Sequence, residues 1–397
     1  MADETRVLDL SGLQALIDTL AGRGYTVIGP TVRQGAVVNA PVTSVDQLPR
    51  GWGDEQEAGT YRLRRRDDDA LFGFASGAQS AKPVFFPTSE ILWRGRRGED
   101  GFTVEREGEP GTTPTPAERP PYALLGVRSC DVAALAVHDR VLASRPYQDA
   151  HYRARRTDAF VVAVTCSTPG GTCFCVSMGT GPSPSSVAGA RYDLALTELL
   201  ADDDRPHRFV VEVGSERGAE VIAEVSTRPA DDADLTRADD VAADAARHMG
   251  RTLDTDGIKE ILYASVESPR WDDVASRCLA CTNCTMVCPT CFCTTVQDVS
   301  DLTGTDAERR RVWDSCFNAD FSYIHGGTVR ESTRSRYRQW MTHKLASWID
   351  QFGTSGCVGC GRCITWCPAA IDITAEAAAL RGVPSSGRPP LAAGPRP

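Results

Sequence analysis

The chain has 397 residues, 41% of them apolar and 24% charged, which fits a folded protein of about two domains and excludes collagen-like, coiled-coil and wholly disordered chains. Acidic residues outnumber basic ones by 53 to 43, a net charge of −10, which argues against a surface built for nucleic-acid phosphates or anionic lipid. No apolar run approaches the roughly 20 residues needed to span a bilayer, and the acidic start MADETRVLDL lacks a secretory pattern, so a cytoplasmic location is expected.

In chain order, residues 9–22 set Leu10, Leu13, Leu16, Ile17 and Leu20 at helical spacing and end on glycine. Short strands are expected at Thr26–Ile28, Ala36–Val38, Thr60–Leu63 and Val84–Phe86, then an exposed Pro/Thr/Glu-rich loop at Gly108–Arg119. Tyr122–Val127, Asp131–Leu142 and Ala159–Val164 read as strand, helix and strand, a parallel βαβ unit. Strands at Tyr192–Thr197 and Phe209–Val213, a helix at Ala219–Ser226, and a hinge running into a helix over Arg228–Asp244 complete this half. From about residue 255 helices dominate: Asp256–Val266, the neighbourhood of Cys278, Arg330–Phe352 and Ala375–Leu380. The ending SSGRPPLAAGPRP cannot bury a core and reads as a disordered tail.

The fifteen cysteines carry the chemistry, and eleven of them lie between Cys278 and Cys367. An odd, dense set in a reducing compartment is suited to holding metal. Residues 278–289 (CLACTNCTMVCP) and 357–368 (CVGCGRCITWCP) repeat C-x2-C-x2-C-x3-C-P. This is the two-cluster ferredoxin spacing, in which three cysteines wrap one [4Fe–4S] cubane and the fourth ligates the other. One cluster is therefore expected on Cys278, Cys281, Cys284 and Cys367, the other on Cys357, Cys360, Cys363 and Cys288. Structural zinc is the plainer alternative, but it does not require two matching runs each closed by C-x3-C-P. The fold class that results is an α+β or α/β domain over 1–250, an all-α two-cluster ferredoxin domain over 251–380, and a tail over 381–397.

The long insert between the runs holds Cys291, Cys293 and Cys316, read as substitute ligands or, preferably, as buried small hydrophobes. Arg330, Arg334 and Arg338 recur every four residues on one helix face. They read as cations near a cluster or, slightly preferred, as a solvated basic face. In the first half, Cys130 and Cys166 follow the two strands of the βαβ unit, at the sheet edge where open α/β sheets bind ligands. Cys173 and Cys175 follow in the loop TPGGTCFCVSMGTGP. These four form a candidate third metal centre, with buried cysteines or a redox thiol pair as the alternatives. Asp131 is read as a helix cap in preference to an oxygen ligand. His138 and Asp139 are read as surface groups in preference to a proton-shuttle pair. No G-x-G-x-x-G, Walker loop or zinc-enzyme histidine spacing occurs.

The segments GVRSCDVAAL, CFCVSMGTGP, CLACTNCTMVCPTCFC, WDSCF and CVGCGRCITWCP resemble the iron–sulfur β subunit of soluble [NiFe] hydrogenases (sulfhydrogenases). They are also similar to the iron–sulfur subunit of anaerobic sulfite reductase. The resemblance covers about residues 25 to 375. It implies a non-catalytic electron-carrying protein that works beside a catalytic subunit, a small iron–sulfur subunit, and a flavin subunit that handles NAD(P)H. Two other readings stay open: a sulfite or sulfur reductase subunit with a redox-active N-terminal cysteine site, and an iron–sulfur redox sensor.

Overall fold

The computed structural model describes residues 5–99, 101–105, 120–144 and 146–382. The expected loop at Gly108–Arg119 and the expected tail lie essentially outside these residues. The first half is built on an eight-stranded mixed sheet. Its order is Arg228–Pro229, Arg6–Asp9, Arg208–Val213, Leu194–Leu199, Phe160–Val164, Tyr122–Arg128, Thr26–Arg33, Ala36–Pro41. The four strands from Leu194–Leu199 to Thr26–Arg33 are parallel, and antiparallel partners flank them. The centre reads FVVAV with every residue buried, the continuous apolar pattern of a strand covered on both faces. Helix Leu10–Gly22 is capped by Asp9, whose carboxylate accepts the Gly12 N–H at 2.8 Å, and it buries Leu13, Leu16, Ile17 and Leu20.

The expected strand–helix–strand unit is present as Tyr122–Arg128, Ser129–His138 and Phe160–Val164, with the two strands parallel. Cys130 and Cys166 thus leave the same edge of the sheet. Val84–Phe86 is not a strand. Pro83 starts a short helix, Lys82–Phe85, which buries Phe85 and turns Lys82 inward. Asp231 and Asp234 form a reciprocal cap that starts helix Asp232–Arg247 within the expected hinge.

The second half is helix-rich, with Ile258–Ala264, Arg270–Arg277, Thr333–Thr342, Trp348–Phe352 and Ile373–Arg381 around a core of Trp271, Val274, Tyr337, Trp340, Met341 and Ile364. It is not all helical. Thr294–Ser300 and Asp306–Trp313 form a hairpin that adds to Ser89–Gly98 and Gly101–Glu105 in a four-stranded sheet. The β-branched run TTVQDV favours a strand, but the strand on which the hairpin docks, Ser89–Gly98, lies far off in sequence.

One buried carboxylate ties this sheet to the βαβ unit. Glu90 pairs with Arg311 on the neighbouring strand, with Arg155, and with His151 Nδ1 at 3.2 Å. Burial opposes the Glu90 charge, but the hydrogen bonds from His151 and Arg155 outweigh it and bring its pKa down to about 2. A folded-state pKa below the unfolded one stabilises above about pH 4.5, and the contribution fades as pH falls towards 2. Glu90→Gln is expected to cost on the order of 2 kcal/mol at pH 7 and to flatten the acid limb of the stability curve. Urea titrations from pH 7 to pH 3 check this; an unchanged acid limb refutes it.

Candidate metal centres

The two cysteine runs fold alike. Ala280 and Thr282 in the first run have φ of +49° and +68°, and Gly359 and Gly361 at the same places in the second have +63° and +72°. Alternating left-handed residues turn successive N–H groups to one side, a concavity suited to an anionic core. Glycine is required only in the second run. A Cβ on Gly359 would lie 2.6 Å from the Phe174 backbone, and one on Gly361 would lie 2.5 Å from the Thr172 carbonyl oxygen. Each run then enters a short helix, Asn283–Met286 or Arg362–Thr365, that carries the fourth cysteine away.

Cys278, Cys281, Cys284, Cys363 and Cys367 line one cavity of about 440 Å³. Cys278 is pushed up in pKa first by burial and then by the Cys367 and Cys281 thiols, so the last cysteine of the second run stands with the first run. The Asn283 side chain donates to the Trp366 carbonyl at 3.2 Å and fixes that approach. Tyr337 Oη and Trp340 Nε1 are buried without a partner among the described residues, and both residues line this cavity. Orphaned donors facing a thiol-lined hollow fit inorganic sulfide as acceptor.

The second set meets around Cys288. Burial, the largest influence, raises the Cys357, Cys360 and Cys363 thiols, and the Cys288 thiol acts on all three. Cys363 faces both sets, since it also feels Cys284. Cys288 is lowered, first by its hydrogen bond with Cys291 and then, against burial, by Lys344. Thiols this deeply buried are costly to ionise alone, and cluster iron held here would supply the compensating charge.

The four N-terminal cysteines also converge. Cys130, Cys166, Cys173 and Cys175 line a cavity of about 320 Å³, and Cys360 of the second run forms part of its wall. Burial raises all four, Cys175 to about 12. The loop that bears Cys173 and Cys175 is pinned to the second run. Phe174 N–H donates to the Gly359 carbonyl at 2.8 Å, Thr180 Oγ1 to the Val358 carbonyl at 2.7 Å, and Thr172 and Thr365 share a 2.7 Å hydroxyl pair.

Three expectations change here. Asp131 is neither cap nor ligand: it binds Arg362 of the second run through two bonds of 2.7 and 2.8 Å, with both residues buried. His138 is fully buried, and burial followed by Lys82 lowers its pKa to about 3, so it is neither a surface group nor a ready proton carrier. Arg330 precedes the helix that starts at Thr333, while Arg334 pairs with Glu267 and Asp272, both at 3.2 Å. Arg330 still acts on the Cys316 thiol and Arg362 on Cys360, and they are joined by two buried cations that sequence reading missed, Lys344 and Lys82. Cys291, Cys293 and Cys316 lie around them, the Cys316 N–H donating to the Cys293 thiol.

No described helix is long and apolar enough to cross a membrane. A model of the 4Fe-4S dicluster domain family matches residues 277–371, the span of both runs and their insert. Sulfhydrogenase 2 subunit beta of Pyrococcus furiosus is 35% identical over 331 residues, covering 82% of this chain and 90% of its own length. No solved structure matches. The dicluster domain carries two [4Fe–4S] clusters. With the likeness running through both halves of the molecule, the chain belongs to the family of iron–sulfur β subunits of sulfhydrogenases.

Proposed function

We propose that the chain is the non-catalytic electron relay of a cytoplasmic hydrogenase-type complex, between a flavin subunit that handles NAD(P)H and the catalytic part, with a small iron–sulfur subunit beside it. In this reading Cys278, Cys281, Cys284 and Cys367 hold one cluster, and Cys357, Cys360, Cys363 and Cys288 hold the second. Cys130, Cys166, Cys173 and Cys175 hold a third. Cubane clusters supply one-electron redox chemistry at nearly fixed geometry. The residues supply burial, hydrogen bonds to sulfur and short spacing.

The observation that carries the reading is the shared walls. Cys360 belongs to the second run and lines the N-terminal cavity, while Cys363 belongs to the second run and lines the first-run cavity. Three thiol sets therefore adjoin in a row with ligand residues between them, the arrangement a relay needs. The division of the chain near residue 250 is proposed on a related ground, because the sheet and the helical half bury separate apolar cores.

Iron and acid-labile sulfide measured anaerobically on the chain co-purified with its partners test this. About twelve irons per chain are expected. About eight would remove the third set, and zinc in place of iron would overturn the reading. The isolated chain should not turn over hydrogen, sulfite or polysulfide with a reduced dye; sustained turnover would favour a reductase with its own site.

A further inference from the structure

The segment that follows helix Thr333–Thr342 widens into a π turn, His343–Ser347, which buries Lys344, Leu345 and Ala346. Lys344 is only 5% exposed. Its ammonium donates to the Cys288 thiol at 3.0 Å and to Thr290 Oγ1 at 3.1 Å. Thr290 passes its own proton to the Gly356 carbonyl at 2.7 Å, so the hydroxyl is oriented with its lone pairs towards Lys344. Behind this group lies a second buried ammonium. Lys82, 3% exposed, donates to the Cys291 carbonyl at 3.2 Å and sits 3.6 Å from the Trp313 ring centroid.

Neither lysine's contacts named above include a carboxylate. A buried cation needs an anion nearby or costs several kcal/mol, and the group within reach is the sulfur ligand set headed by Cys288. The other set is served differently. The Cys278 thiol accepts the Ala280 N–H at 3.4 Å, and the Cys367 thiol accepts the Ile371 N–H at 3.4 Å, both backbone dipoles, and the charge that acts on Cys278, Arg336, does so more weakly than the Ala280 bond. A reduced cluster carries one more negative charge than an oxidised one, so a fixed cation at a ligand sulfur stabilises the reduced form more.

We propose that Lys344, backed by Lys82, is the positioning residue that raises the reduction potential of the centre held by Cys288, making that centre the resting place of electrons within the chain. This rests on the ligand assignment proposed above. It places the electron store in the middle of the row, next to both the first-run cavity and the N-terminal cavity.

The test is an EPR-monitored redox titration of the full complex, comparing wild type with Lys344→Met, Lys344→Arg and Lys82→Met, with iron content measured on each. In wild type the Cys288 centre should be the first of the three to reduce as the potential is lowered. Lys344→Met, close in length but unable to donate, should shift that centre alone to lower potential and abolish its priority, at unchanged iron. Lys344→Arg should restore most of the shift. Lys82→Met, which leaves the thiol contact intact, should give a smaller shift of the same sign. The inference is overturned if iron is complete and no midpoint moves in Lys344→Met, or if the Cys278 centre moves instead. If Lys344→Met fails to load iron, an unmoved midpoint in Lys82→Met overturns it. Failure of the ligand assignment is separately visible, as iron content that does not match the cysteine sets.

Discussion

Alanine at Cys278 and alanine at Cys367 will have the same effect, although the two residues belong to different runs. Each is expected to remove about four irons per chain and to erase one and the same EPR signal, leaving the remaining clusters in place. Cys357→Ala and Cys288→Ala will form the complementary pair and erase a different signal. The reason is the interlock of the loops. In the proposed ligand sets each run gives its first three cysteines to one cluster and its fourth, which follows a short helix, to the other. Cys367 acts on the Cys278 thiol and lines the first-run cavity, while Cys288 acts on Cys357, Cys360 and Cys363. If Cys367→Ala instead removed the signal lost in Cys357→Ala, each run would serve its own cluster and the cross-ligation would be wrong.

The cysteine runs were readable because cluster ligation is a local spacing rule, and both runs obey it in full. The parallel pair Tyr122–Arg128 and Phe160–Val164 was readable for a related reason, since a buried strand writes a continuous apolar run into the chain. The hairpin Thr294–Trp313 was not, because it is half-exposed, carries Asp and Arg among its strand residues, and gains its neighbour Ser89–Gly98 only through the tertiary fold. Lys344 was invisible for another reason. In sequence it sits on a helical pattern as one more basic residue, and only the π turn rotates it towards Cys288. Lys82 was hidden by a wrong local expectation, a strand at Val84–Phe86 where Pro83 starts a helix. The regular spacing of Arg330, Arg334 and Arg338 was compatible with a solvated basic face, slightly preferred, or with cations near a cluster, and gave no sign of the lysines. Arg334 and Arg338 face the helix-rich unit's own surface, where Arg334 pairs with Glu267 and Asp272 and Arg338 donates to the Val266 carbonyl at 2.7 Å.

Removing the charge of Arg362 will unlock the N-terminal half from the second cysteine run. Arg362 lies between Cys360 and Cys363 and is 1% exposed. It makes two bonds to Asp131 at 2.7 and 2.8 Å and donates to the carbonyls of Gly77 at 2.7 Å and Gln79 at 3.2 Å. Asp131 follows Cys130 directly, so this pair spans the wall between the second set and the N-terminal cavity. Arg362→Met leaves a buried carboxylate with no counter-charge, which costs about 3–5 kcal/mol. Asp131→Leu leaves a buried guanidinium with two carbonyls only and should cost a similar amount. The double variant Arg362→Met/Asp131→Leu removes both charges together, and apolar replacement of a whole buried pair is often close to neutral. Its urea midpoint under anaerobic conditions should therefore recover well above that of either single variant. Iron content should follow the same order, with the N-terminal set lost first, because its loop is held against the second run by the contacts that this pair braces. Additive destabilisation in the double variant would mean that the two charges act independently and that the ion pair is not what joins the two sites.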